Sequence, residues 1–199
     1  MRIGILGGSF NPPHNGHLYL GRELKNRLQL DRIIVIPAKK PPHKDNIVLA
    51  PDNDRLNMCR ILFSDSFFSV SDIEMQRDGK SFTFDTLTFL KKMYPRDDLF
   101  LLVGADMLLY FDKWYRWQDI LKLCTLCAFA RDSEHSYGEL VAYSRDVLEN
   151  ENIIIENVPP LCISSTEIRN KIKNGENAEG LLPKELCDYI LNGGLYREG

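Results

Sequence analysis

The sequence has little of what membranes, nucleic acids or oxidising compartments demand. No apolar run approaches the roughly 20 residues that span a bilayer. Lys and Arg number 25 against 28 Asp and Glu, a net charge of −3, so there is no broad basic footprint and no nucleic-acid partner is expected. Met1-Arg2-Ile3 leads directly into an apolar run without the pattern of a secretory leader. The five cysteines are an odd number in a chain too long to need staples, which points to a reducing, cytoplasmic setting. Cys124-x-x-Cys127 has the spacing of a redox or zinc pair, yet it lies in Leu123–Ala130, which reads as a strand. Residues three apart in a strand face opposite sides, so both are assigned to core packing. Repeats and low-complexity tracts are absent as well.

What remains is an ordinary globular composition, 44% hydrophobic and 27% charged. At 199 residues the chain suits one α/β domain over 1–199, with a small C-terminal helical part from about 164. Apolar β-rich runs recur at Ile3–Leu6, Arg32–Ile36, Phe67–Val70, Leu99–Val103, Thr125–Ala130 and Asn152–Glu156. Amphipathic stretches separate most of them, at Leu18–Leu28, Asp54–Phe63, Phe84–Met93, Gln118–Leu123 and Tyr137–Leu148. This alternation predicts an α/β fold, a mostly parallel sheet flanked by helices. Ligands of such sheets sit beyond the carboxyl ends of the strands, where strand order reverses.

One stretch organises the rest: Gly7-Gly8-Ser9-Phe10-Asn11-Pro12-Pro13-His14-Asn15-Gly16-His17. It joins the first strand to the first helix. The glycines permit a tight turn and close backbone approach to a ligand, and the prolines keep the chain out of a helix before His14. A helix beginning near His14 brings His14 and His17 onto one face of its first turn, where free N–H groups and partial positive charge suit phosphate. A zinc site is the lesser reading, since no Asp, Glu or Cys in the stretch adds a third ligand.

Further candidates follow in order. Pro37–Asn46 is a stiffened basic loop, either a solvated connection or a flap bringing Lys44 and His43 to a phosphate. Ser81, Thr83 and Asp85 in Ser81-Phe-Thr-Phe-Asp-Thr86 are cap-type residues, which capping alone could explain. Gly104-Ala-Asp106 at a strand's carboxyl end suits a carboxylate accepting ribose hydroxyls, or a helix cap. Both tryptophans lie in Trp114-Tyr-Arg-Trp117, as core packing or as a stacking surface. In Ile163-Ser-Ser-Thr-Glu-Ile-Arg169, Ser164 and Glu167 have capping-box spacing, and Ser165 and Arg169 share a helical face. That makes a second candidate anion site. A proline-started helix, Leu186–Leu191, closes the chain.

GGSFNPPHNGH resembles the G-[ST]-F-[DN]-P-x-H-x-G-H signature of the HxGH nucleotidyltransferases, with Asn11 where Asp is more usual. Together with ISSTEIR, PPHK at 41–44, SFTFDT, GAD, the WY pair and the terminal GLYR, it resembles the bacterial nicotinate mononucleotide adenylyltransferases over essentially the whole chain. The resemblance implies a Rossmann-like fold and a reaction of ATP with nicotinate mononucleotide, with magnesium, giving deamido-NAD and pyrophosphate. It implies His14, His17 and Arg169 as catalytic residues, and Gly8, Ser9, Phe10 and Ser165 on the ATP side. Lys44, Thr83, Asp106 and Trp114 resemble the mononucleotide side. No protein ligand to the metal is named. Phosphopantetheine adenylyltransferase is the nearest rival, although that family usually has Thr where this chain has His14. A cytidylyltransferase and a non-catalytic nucleotide-binding regulator are the others, while class I aminoacyl-tRNA synthetases are set aside for lack of length and of a KMSKS loop. Nothing in the sequence excludes a homo-oligomer.

Overall fold

The computed structural model describes residues 1–40, 48–130, 137–150, 152–159 and 161–197. Six strands, β1 (Arg2–Gly8), β2 (Arg32–Pro37), β3 (Phe68–Val70), β4 (Asp98–Gly104), β5 (Thr125–Ala130) and β6 (Ile154–Asn157), form one sheet in the order β3-β2-β1-β4-β5-β6. All five pairings are parallel; β1 and β4 run in register from Arg2 opposite Asp98 to Leu6 opposite Leu102. This is the Rossmann strand order, and the chain reverses direction across the sheet between β1 and β4.

The strands are apolar on both faces because helices cover both. Alternation sorts their side chains into two cores. Leu6, Ile33, Val35, Phe100 and Leu102 pack with Leu24, Met58, Ile168, Leu186 and Ile190, beneath α1 (Asn15–Arg27), α2 (Asp52–Leu62), α7 (Ser165–Lys173) and α8 (Lys184–Asn192). Ile3, Ile5, Ile34, Ile36, Leu99 and Leu101 pack with Leu87, Leu108, Ile120 and Leu140 on the other face. That face is covered by α3 (Thr83–Met93), α4 (Ala105–Leu108), α5 (Trp117–Leu123) and α6 (Tyr137–Asp146). Among the described residues no helix is long and apolar enough to cross a membrane.

The structure shifts most element bounds of the sequence reading by one to three residues. Strand β5 is the expected run Thr125–Ala130, but Leu123 ends α5 and Cys124 caps it, so the longer Leu123–Ala130 stretch that held both cysteines is not all strand. The two cysteines still part as expected: Cys127 joins the first core and Cys124 leans on the second. Burial pushes both thiols up to about 12, the behaviour of packed thiols rather than redox ones. The edge strand β6 begins two residues later than expected, at Ile154. Finally, α4 and a 3₁₀ turn at Phe111–Lys113 occupy a run too short for helical periodicity to register.

Candidate active site

Gly8 and Gly104 end the neighbouring strands β1 and β4, so the loops that follow face one another across the reversal point. After β1, Phe10 turns with φ +46 and buries its ring against Phe63, at 5.9 Å between centroids. The α1 helix opens with His14 as N-cap. The His17 ring meets the Phe10 ring edge-on at 5.1 Å and lies 3.8 Å from that of His14. His17 Nδ1 accepts from the His14 backbone N–H at 3.2 Å, so in the neutral ring the proton sits on Nε2. Gly16 is needed for this arrangement: a Cβ there would lie 3.0 Å from His14 Nδ1. His14 is nearly buried, at 5% exposure, and His17 is half-buried.

The second motif arrives from the far end of the chain. Ser164 caps α7, its Oγ accepting from the Glu167 N–H at 3.1 Å as the capping-box spacing predicts. Ser165 Oγ donates to the Pro12 carbonyl at 2.8 Å, and Arg169 Nη1 donates to the Asn11 carbonyl at 2.8 Å. Arg169 also reaches Thr166 Oγ1 at 3.1 Å. The starts of α1 and α7 are thus tied together through the proline loop. Beside His14 a small cavity of about 20 Å³ is lined by Gly16, Tyr19, Phe129, Leu161 and Ile163, of which Tyr19, Phe129 and Leu161 lie outside the motifs.

On the opposite side of the reversal point, α3 starts at Thr83 with Phe82 as N-cap and no side-chain cap. Capping therefore does not account for Ser81, Thr83 and Asp85. The Glu74 carboxylate is buried here and accepts from the Thr86 hydroxyl at 2.8 Å; burial pushes its pKa up, with Thr86, Arg77 and Ser81 opposing. Tyr115, 53% exposed, lies 4.8 Å from the Phe82 ring and 6.2 Å from that of Phe84, which joins the SFTFDT and WY strings. Trp114 is half-buried against Phe111 at 5.1 Å, and its backbone N–H donates to the Phe111 carbonyl. Asp106 is exposed on α4; a Cβ on Gly104 would lie 2.6 Å from its Oδ1. Lys44 and His43 lie outside the described residues.

Asn11 joins several of these segments. Its Nδ2 donates to the Val48 carbonyl at 3.1 Å, while Oδ1 accepts from the Ala50 N–H and from the Tyr196 hydroxyl, both at 2.9 Å. An Asp here would lack the donor toward Val48.

A Rossmann-ordered sheet with two helix starts meeting at its reversal point is the architecture of a nucleotide-binding α/β protein. The chain belongs to the cytidylyltransferase-like family, whose model matches residues 5–171. It is 41% identical over 199 residues to a probable nicotinate-nucleotide adenylyltransferase of Carboxydothermus hydrogenoformans, with 98% of each chain covered. To the nicotinate-nucleotide adenylyltransferase of Bacillus subtilis it is 36% identical over 196 residues, again with 98% of each covered. In fold it is similar to the Plasmodium falciparum nicotinic acid mononucleotide adenylyltransferase complexed with NaAD, at a TM-score of 0.81 and 20% identity, covering 98% of this chain and 97% of that one.

Proposed function

We infer that the chain is a nicotinate-nucleotide adenylyltransferase, joining ATP and nicotinate mononucleotide to give deamido-NAD and pyrophosphate in NAD biosynthesis. The observation that carries this reading is the union of the two motif helices, through Ser165 on Pro12 and Arg169 on Asn11. It agrees with similarity to enzymes of that name over nearly the full chain.

The nucleophile is the mononucleotide phosphate, whose second pKa near 6 leaves it largely ionised at pH 7. It attacks the α-phosphorus of ATP in line and pyrophosphate leaves, so no general base is required. The barrier is electrostatic: two anions meet and the leaving group gains charge. His14, His17 and Arg169 are assigned to the ATP phosphates, with His17 presenting the Nε2 proton that its Nδ1 acceptor bond implies. Gly8, Ser9 and Phe10 hold ATP through backbone contacts. Ser165, whose hydroxyl is engaged with Pro12, serves ATP through the α7 backbone and the loop it steadies.

Thr83, Asp106 and Trp114, with Lys44 from the basic loop, take the mononucleotide. The first-turn N–H groups of the uncapped α3 suit its nicotinate carboxylate. Magnesium bound with ATP would supply neutralisation of phosphate charge. Among the described residues no three His, Cys, Asp or Glu side chains cluster to hold an ion. The chain is taken as one cytoplasmic nucleotidyltransferase domain, its C-terminal helical part from about 164 completing the ATP side.

Pyrophosphate release from ATP plus nicotinate mononucleotide tests the reading, with nicotinamide mononucleotide, phosphopantetheine and CTP as parallel substrates. Turnover with the first pair is expected; preference for phosphopantetheine or CTP, or no turnover, would overturn it.

A further inference from the structure

The largest fully buried side chain of the described residues is a cation outside every motif above. Arg55 stands in the first turn of α2 at 0% exposure. Its Nε donates to the Ala50 carbonyl at 3.1 Å. Nη1 donates to the carbonyls of Ser9 at 3.0 Å and Ala38 at 2.5 Å. Nη2 donates to the Lys39 carbonyl at 3.4 Å and to Asp52 Oδ1 at 2.5 Å. Asp52 is 41% exposed, so the guanidinium is satisfied chiefly by backbone oxygens.

Those oxygens belong to three separate segments. Ser9 lies in the glycine loop, Ala38 and Lys39 lead out of β2, and Ala50 precedes α2. One planar group therefore ties the glycine loop to both flanks of the basic connection between β2 and α2. Asn11 makes a second tie from the same loop to the C-terminal flank, through Val48 and Ala50. Removing a cation from water is costly, and an apolar side chain of similar volume often serves stability as well or better. What an apolar side chain cannot supply is a rigid fork of directed donors fixing several backbone segments at once.

We propose that Arg55 is a positioning residue for adenylyl transfer: from behind the site it sets the glycine loop that holds ATP against the flanks of the connection on the mononucleotide side. This rests on the adenylyltransferase reading above. Arg55 touches neither substrate, and it acts through the carbonyls of Ser9, Ala38, Lys39 and Ala50.

The test compares full-length wild type with Arg55→Lys, which keeps charge without the fork, and Arg55→Met, which keeps volume without charge. Initial rates with ATP and nicotinate mononucleotide are expressed per folded molecule, well below each melting temperature. ATP affinity is measured separately by calorimetry. Misplacement of reacting groups by about 1 Å costs on the order of 10²-fold, so both variants are expected to fold yet lose about tenfold or more in kcat/KM. ATP affinity should weaken in both. Variants that melt earlier but keep wild-type kcat and KM per folded molecule would reduce Arg55 to a stability element and overturn the proposal. Failure of both to fold would overturn it equally. If wild type does not turn over the pair, the functional reading fails, and Arg55 is then judged on ATP affinity alone: weakening in both variants upholds its hold on the glycine loop, and unchanged affinity refutes it.

Discussion

Arg169 Nη1 and the carbonyl oxygen of Asn11 are 2.8 Å apart across 158 positions of sequence. The contact ties helix α7 to the loop that leads into α1. With a second guanidinium nitrogen on Thr166 Oγ1, the fork is held in one orientation. Arg169→Lys keeps the charge and loses that fork. It should lower kcat/KM for ATP about tenfold or more with the far-UV spectrum and melting temperature little changed. Near-normal activity would make Arg169 a mere surface residue of a capped helix.

His17 accepts the backbone N–H of His14 at Nδ1, which places the proton of the neutral ring on Nε2. His17→Ala should lower kcat by about 10²-fold, the scale of losing one transition-state donor, while both KM values change less. Because the mononucleotide phosphate attacks directly, no adenylyl-enzyme should accumulate. Radiolabel from α-labelled ATP trapped on the protein in the absence of the second substrate would sink the direct-attack mechanism.

Acid-over-amide selectivity should reside in the backbone at the start of α3. A pyridinium ring stacked on Trp114 is common to both mononucleotides, so a cation–π contact cannot choose between them. The Trp114 backbone N–H is engaged with Phe111, which leaves the first turn from Thr83 as the better source of donors toward a carboxylate. An amide placed against them leaves donors unpaired at about 1–3 kcal/mol each. Wild type should therefore favour nicotinate mononucleotide by about tenfold or more in kcat/KM. Thr83→Ala should retain that ratio; its collapse would assign selectivity to the hydroxyl instead.

Glu74 predicts a particular pH dependence of stability. Burial raises its folded pKa above the ordinary 4.5, with the hydrogen bond from Thr86, the Arg77 charge and Ser81 opposing. Above pH 4.5 the folded protein then holds a proton that the unfolded chain has released, so this group's contribution falls as pH rises through its folded pKa. Glu74→Gln keeps a hydrogen-bond acceptor and removes the titration. Its melting temperature, relative to wild type, should climb as pH increases from 4.5. Parallel curves for the two proteins would show that the buried carboxylate does not titrate in that range.

Local pattern in the sequence carried the element types, the parallel sheet and the motifs. Ile3 and Ile5 point to one core and Leu6 to the other because side chains alternate along a strand, a rule that needs no knowledge of the fold. Ser164 and Glu167 announce the start of α7 because both partners of the cap lie within one turn. The 3.0 Å clearance at Gly16 is likewise a matter of one helical turn.

Only the tertiary structure decided which distant segments those motifs meet. Arg55 sits in an ordinary amphipathic helix, and nothing in its neighbours distinguishes it from a surface arginine. Apart from Asp52, its partners are backbone carbonyls at Ser9, Ala38, Lys39 and Ala50. Ser165 and Arg169 likewise end on the carbonyls of Pro12 and Asn11. A carbonyl is the same group whatever side chain its residue carries. Which one receives a given donor therefore leaves no mark in the sequence; the packing of strands and loops selects it.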